Sequence, residues 1–538
     1  MNLRLRWISC SLAALVMSAC STHQRPEFIA ERSLRSLNAS ARQTALAKAL
    51  VEAEQASHSG LDTTESRQRY NAAVSSAVKL WIALSNDERS KPLVCTQGDK
   101  SFTLQASWPK QIVFDTLIDA HDIESREMKR RITREGVGEP FVAWCKFTDE
   151  RAAKDPFMAA AGYLSPVTAT IAFSKGSNGR QIASLVLHDP RVVEEVRLAG
   201  ASRPLAEDIS AVGEFLLSRS EVRMSGLGAL LRSGKNLDKL GLIALERPDP
   251  ERVPVILVHG LMSRPATWQN VVNELWSDPK LQRTAQFYFF RYPTGVPVIY
   301  SAAKLREKLG LLHRELNARG VSPGSREMVL IGHSMGGLVS KAQVQKSGDK
   351  LWVNVFGSTP DRLNLSQKEI NALRAYLEYE PNPYVSRVIF VATPHRGSSL
   401  AAGTLGAIGR SLVNLPNHIM SDAVSIMQGQ APEHGPLADM LRRGVPTSID
   451  NLSPKSKFVQ TSISLPLRPG LHVHSIIGNK KQKPLNDPSC SDGFVPYTSA
   501  HLDGVESELI VPYGHSAHEH PMAVEEILRI LHEHVRGR

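Results

Sequence analysis

The chain has 538 residues, too many for one ordinary hydrophobic core, so two or three domains are expected. Hydrophobic residues make up 42%, the share of a globular protein rather than of a disordered or fibrous one. The formal charge of +11 is scattered, with no dense Lys/Arg run interleaved with aromatics; this argues against nucleic-acid binding and leaves solubility or attraction to an anionic membrane surface.

The first residues, "MNLRLRWISCSLAALVMSAC", put Arg4 and Arg6 ahead of a short apolar stretch that ends in Ser18, Ala19 and Cys20. Residues 1–19 therefore read as an export signal. A spanning helix needs roughly 18 or more consecutive apolar residues, and neither this run nor any later one reaches that length. The segment "MSAC" resembles the lipobox of bacterial lipoproteins, with Met17 where leucine is commonest. The resemblance implies that Cys20 is lipidated and starts the mature protein, held on a bilayer by acyl chains. Ser21, where aspartate would retain a lipoprotein at the inner membrane, implies the outer membrane; a plain secretory signal cut nearby is the alternative. Cys95, Cys145 and Cys490 remain, and export makes a disulfide possible; Cys95 with Cys145 is the expected pair, since both lie in the same N-terminal region.

From Glu27 to about His58 the chain is rich in Ala, Leu, Glu and Arg without proline, which predicts a helix ended by Gly60. A second helix follows in "TTESRQRYNAAVSSAVKLWIAL", with Tyr70, Val74, Val78 and Trp81 at helical spacing. Residues 20–92 thus form a helical hairpin region, and with no third copy a solenoid is disfavoured. Residues 93–240 carry β-rich runs, "SFTLQASW", "PFVAWCKF", "VTATIAFS" and "GRQIASLVLHD", then a helix in "PLAEDISAVGEFLLSRS" and a linker in "RMSGLGALLRSG". The adjacent His188 and Asp189 read as a strand end and turn.

From residue 241 to 538 strand and helix alternate, the mark of a mostly parallel sheet covered on both faces. The predicted strands are "VPVILVHG", "QFYFFRYPTG", "EMVLIGHS", "SRVIFVATPHRGS", "LHVHSIIG" and "VESELIVPYGH". Helices are predicted in "SAAKLREKLGLLHRELNARG" and "AVEEILRILHEHV". The stretch from about 398 to 466 is too long for a simple connection and is expected to form a helical cap, in which "LAAGTLGAIGRSLVNL" would line an acyl-chain tunnel or pack on the sheet.

Ser334 in "LIGHSMGG" sits between Gly332 and Gly336, after an apolar strand and before a helix, the setting of a strained strand-to-helix turn that exposes a nucleophilic hydroxyl. An acid after a late strand and a histidine after the last complete the order serine, acid, histidine. Asp492 is chosen over Asp487, and His515 over His518. His515, His518 and His520 could also suggest a metal site, but no cysteine or acidic cluster completes one, so neither metal nor cofactor is called for. Backbone N–H groups of Met335 and of Leu261, with Met262 next, are the expected oxyanion donors. His259 and Gly260 shape the second loop, Gly260 by a conformation a side chain would block; with His395, which is expected to shape the site wall, they are the substrate-side candidates. His333 is expected to pack beside the serine.

Together "HGLMSRPATW", "GHSMGG", "ATPHRGS", "SDGFVP" and "GHSAHEHP" resemble the lipase and esterase branch of the α/β-hydrolase superfamily, and "TPHRGS" is similar to the box of enzymes related to GPI inositol deacylase. The resemblance covers roughly the C-terminal half and implies an α/β-hydrolase fold, α/β in class, with an ester or lipid substrate and an acyl-enzyme. An acyltransferase using the same triad, and an envelope scaffold with vestigial chemistry, are the competing readings. The region before about 240 could bind a protein partner or position the enzyme, and nothing in it says which.

Overall fold

In the computed structural model the described residues are 38–123, 128–176, 180–218, 240–363, 366–398 and 451–536. The signal, Cys20, the linker and most of the expected cap lie outside them. Helices α1 (Ala39–His58) and α2 (Thr64–Ile82) form the hairpin. Asn38 and Thr63 cap them by accepting from the N–H groups of Ala41 and Ser66, which satisfies donors that a helix start leaves unpaired.

Next come β1 (Leu93–Gln97), β2 (Lys100–Ser107), β3 (Thr116–Asp119), β4 (Glu139–Cys145), β5 (Tyr163–Lys175) and β6 (Gln181–His188). They build one six-stranded sheet in the order β1-β2-β6-β5-β4-β3. Strand alternation then decides what each face meets. On β4, Phe141 and Ala143 join Leu46, Leu50, Tyr70 and Val74 of the hairpin. Val142 and Trp144 on the opposite face join a different core.

That second core belongs to the C-terminal half. Its sheet contains β7 (Gly241–Ala244), β8 (Val253–Val258), β9 (Ala285–Arg291), β10 (Met328–His333), β11 (Val385–Val391), β12 (His472–Gly478) and β13 (Ser507–Val511). The order is β7-β9-β8-β10-β11-β12-β13, parallel throughout except for β7, which pairs antiparallel with β9. Val253, Val255 and Leu257 of β8 point to the face covered by α4 (Gln269–Trp276) and α8 (Pro521–His534), with Trp144, Leu164 and Phe215 of the N-terminal half in the same cluster. Ile256 and Val258 point to the other face, under α5 (Val298–Arg319).

A mixed α/β fold results, with both strand-rich halves sharing core. At the junction Leu164 donates its N–H to the Leu245 carbonyl at 2.6 Å. There, too, buried Arg191 pairs with Asp189 at 2.8 Å and with Glu246, which Arg252 also reaches at 3.0 Å. Asp189 is thus a structural turn residue, and His188 bonds Thr170 at 2.8 Å.

The expected Cys95–Cys145 bridge is corrected: both cysteines, like Cys490, are free and buried. Cys95 lies on β1 and Cys145 on β4, with three strands between them. At about 4.8 Å per strand that is on the order of 19 Å, far beyond the roughly 7 Å a disulfide can bridge. No helix among the described residues is long and apolar enough to cross a membrane. Of the segment expected to form a cap, residues 451–466 are described, including the helix Lys457–Ser464, whose Phe458 and Val459 pack into the core.

Candidate active site

Ser334 sits between β10 and the helix α6 (Met335–Lys341) at φ 55°, ψ −122°, a conformation that non-glycine residues seldom adopt. Its N–H is held by the Val391 carbonyl at 2.8 Å. The turn closes because glycines let chains touch. A Cβ on Gly336 would lie 2.2 Å from the Val258 carbonyl oxygen, and one on Gly332 would lie 2.6 Å from the Cα of Gly337.

His515 follows β13, and its Nε2 meets Ser334 Oγ at 2.8 Å while Nδ1 meets Asp492 Oδ2 at 2.7 Å. A carboxylate can only accept here, so Nδ1 carries the proton and Nε2 is free to accept from the serine hydroxyl. Asp492 is buried, and its other oxygen accepts the N–H groups of Phe494 and Val495, each at 2.7 Å. These bonds leave the carboxylate one orientation, toward the imidazole. Asp487 instead accepts from Ser489 and Lys483, away from His515.

His518 is fully buried, bonded at 3.2 Å to the Thr267 carbonyl and packed on Trp268, and burial pushes its imidazole down to about 4. With His515 on Asp492 and His518 on Thr267, the three histidines do not converge on one point. Among the described residues, Asp119, His121 and Glu139 do gather as metal ligands would. They are already paired: His121 Nδ1 bonds Glu139 at 2.5 Å, and Lys79 bridges Asp119 at 2.7 Å and Asp122 at 2.9 Å.

His333 packs beside the serine and does more: its Nε2–H donates to the His515 carbonyl at 2.8 Å, tying the histidine loop to the elbow. Burial and the neighbouring His518 and His515 hold its imidazole well below the usual range, so it stays neutral.

Met335 opens α6, and Leu261 stands in the loop after β8. Among the described residues no hydrogen bond takes up either N–H, whereas that of Met262 goes to Thr294 Oγ1 at 3.3 Å. Two unclaimed donors beside a nucleophile suit an oxygen on which negative charge develops. Gly260 brings the loop against the serine, since a Cβ there would lie 3.0 Å from Ser334 Cβ. Its φ is not in the left-handed region, so the expectation of a special conformation gives way to one of close approach.

Two substrate-side candidates, His259 and His395, lie in the interior. His259 is buried, stacked on Tyr292 at 4.4 Å, with burial pushing it down to about 4; it shapes the loop from behind. His395 is likewise buried, edge-on to Phe390 at 4.7 Å. No hydrogen bond or ring contact joins it to Ser334, His515 or Asp492. Phe494, within "SDGFVP", faces His515 at 5.2 Å and is 40% exposed, a site residue that its motif alone does not mark.

No protein-family model and no curated protein matches the chain. Similar solved structures include the mature lipase BlEst2 of Bacillus licheniformis, at 19% identity over 53% of this chain and 94% of that one, with a TM-score of 0.31. Esterase B of Lactobacillus rhamnosis is 14% identical over 54% and 77%, TM-score 0.28. Phospholipase PlaB of Legionella pneumophila is 17% identical over 46% and 45%, TM-score 0.26.

Proposed function

We propose that the chain is a serine hydrolase that cleaves carboxylic esters through an acyl-enzyme. The observation that carries this is the continuous relay Ser334 Oγ, His515 Nε2, His515 Nδ1, Asp492 Oδ2, with spacings of 2.8 and 2.7 Å, starting from a strained elbow. Ser334 attacks the ester carbonyl as His515 accepts its proton, while Asp492 fixes the imidazole and stabilises the imidazolium. The N–H groups of Leu261 and Met335 hold the oxyanion. His515 then gives its proton to the leaving alkoxide, and water activated by the same imidazole releases the acid.

Export and lipidation at Cys20 would set this chemistry on the bacterial outer membrane, a reading supported by the "MSAC" segment. Lipid or other ester substrates fit that location. The test is labelling of the purified chain lacking residues before Ser21 with a fluorophosphonate, beside Ser334→Ala. Labelling on Ser334, absent from the variant, supports the reading; an inert, folded wild type contradicts it.

A further inference from the structure

Rate enhancement of this type depends on the oxyanion donors being held in place before the charge forms. Leu261 lies in a four-residue turn, Gly260 to Ser263, closed by the Ser263 N–H on the Gly260 carbonyl at 3.3 Å. Its third residue, Met262, stands at φ 55°, where glycine is the usual occupant. The turn is therefore in a conformation its own residues disfavour, and something outside must hold it.

We infer that Thr294, together with Tyr292, is a positioning residue that locks this turn and so presents the Leu261 N–H to the reacting carbonyl. The inference rests on the hydrolase reading above. Both residues follow β9 in "RYPTG", and both are buried. Thr294 Oγ1 accepts the Met262 N–H at 3.3 Å, engaging the strained residue itself. The Tyr292 hydroxyl donates to the His259 carbonyl at 2.6 Å, and its ring stacks on His259 at 4.4 Å. His259 Nδ1–H in turn donates to the Gly260 carbonyl at 3.1 Å. The carbonyls of His259 and Gly260 and the N–H of Met262 thus each have a partner. Among the described residues the N–H between them, that of Leu261, has no partner, and it directly follows the Gly260 that abuts Ser334.

The test compares Thr294→Val, which keeps the shape and removes the acceptor, with Thr294→Ser, which restores it, and with Tyr292→Phe. The rate of Ser334 modification by a fluorophosphonate, whose phosphoryl oxygen enters the oxyanion site, is read beside kcat and KM for p-nitrophenyl butyrate and beside Tm. A misplacement of up to about 1 Å predicts that Thr294→Val loses about 10- to 100-fold in both labelling rate and kcat, with KM unchanged. Thr294→Ser should recover most of that loss, and Tyr292→Phe should fall between. Unchanged labelling in a folded Thr294→Val variant would overturn the inference, as would a loss that Thr294→Ser shares. If Thr294→Val fails to fold, wild-type rates in a folded Tyr292→Phe overturn it equally. A wild type that does not label removes the hydrolase reading itself, and this inference with it; a wild type that labels while the variants match it removes the positioning role alone.

Discussion

Replacing Gly260 by alanine tests how closely the turn after β8 must approach the nucleophile. Because its φ lies outside the left-handed region, the substitution brings no backbone penalty, only a methyl group. That methyl would stand 3.0 Å from Ser334 Cβ, 3.2 Å from His333 Nδ1 and 3.3 Å from the His333 carbonyl oxygen. Ordinary contact begins at 3.4 Å, so about 0.4 Å has to be found. The elbow cannot yield it easily, because the Ser334 N–H is bonded to Val391 and His333 to His515, both at 2.8 Å. The turn carrying Leu261 therefore retreats. Since 1 Å of misplacement costs about 10²-fold, roughly half of that predicts about a 10-fold loss of kcat, near 1.4 kcal/mol, with 10²-fold as the limit where the donor is lost. The overpacked contact should also cost about 1–3 kcal/mol of folding stability. The assay is kcat and KM on p-nitrophenyl butyrate beside urea unfolding. A kcat within twofold of wild type, or a change confined to KM, would refute the reasoning.

Asp492→Asn, whose amide would favour the wrong imidazole tautomer, should lower kcat by about 10⁴-fold, whereas Asp487→Asn should leave it within twofold; equal effects in steady-state assays would contradict the assignment. His259 and His518 are held neutral with imidazoles near 4, so the unfolded chain binds more protons as pH falls below about 6.5, and stability is lost in that window. From pH 6.5 to 4.5 each contributes about 2 kcal/mol of that loss, and a folded His518→Gln variant should lack its share in urea unfolding at the two pH values. Residues 240–538 expressed alone should be insoluble, because Trp144, Leu164 and Phe215 cover the same core as Val253 and Val255; a soluble, cooperatively unfolding fragment would speak against the shared core.

The strands of the C-terminal sheet could be read because β8 and β10 are buried on both faces and so appear as unbroken apolar runs. Strand β7 is not legible in the sequence: four residues, Gly241–Ala244, carry too little pattern to mark a strand. Alternation on β4 shows that the strand has two faces, but the sequence does not say that one meets the hairpin and the other the second sheet. Nearness along the chain misled for Cys95 and Cys145, because sheet order is set by long-range pairing. In the site, triad order pointed to the loops, while the choice of Asp492 over Asp487 depends on which carboxylate the Phe494 and Val495 N–H groups turn inward. Tyr292 and Thr294 carry no mark of a site in the sequence, because a tyrosine and a threonine after a strand fit an ordinary loop equally well. His395 carried a motif's weight yet lies in the interior.

The central claim is that Ser334 is an activated nucleophile, and fluorophosphonate labelling with mass-spectrometric mapping tests it most directly. The account predicts a single adduct on the peptide containing Ser334, lost in Ser334→Ala and strongly slowed in a folded His515→Ala. A folded wild type that takes up no label, or labels at another serine, would contradict it.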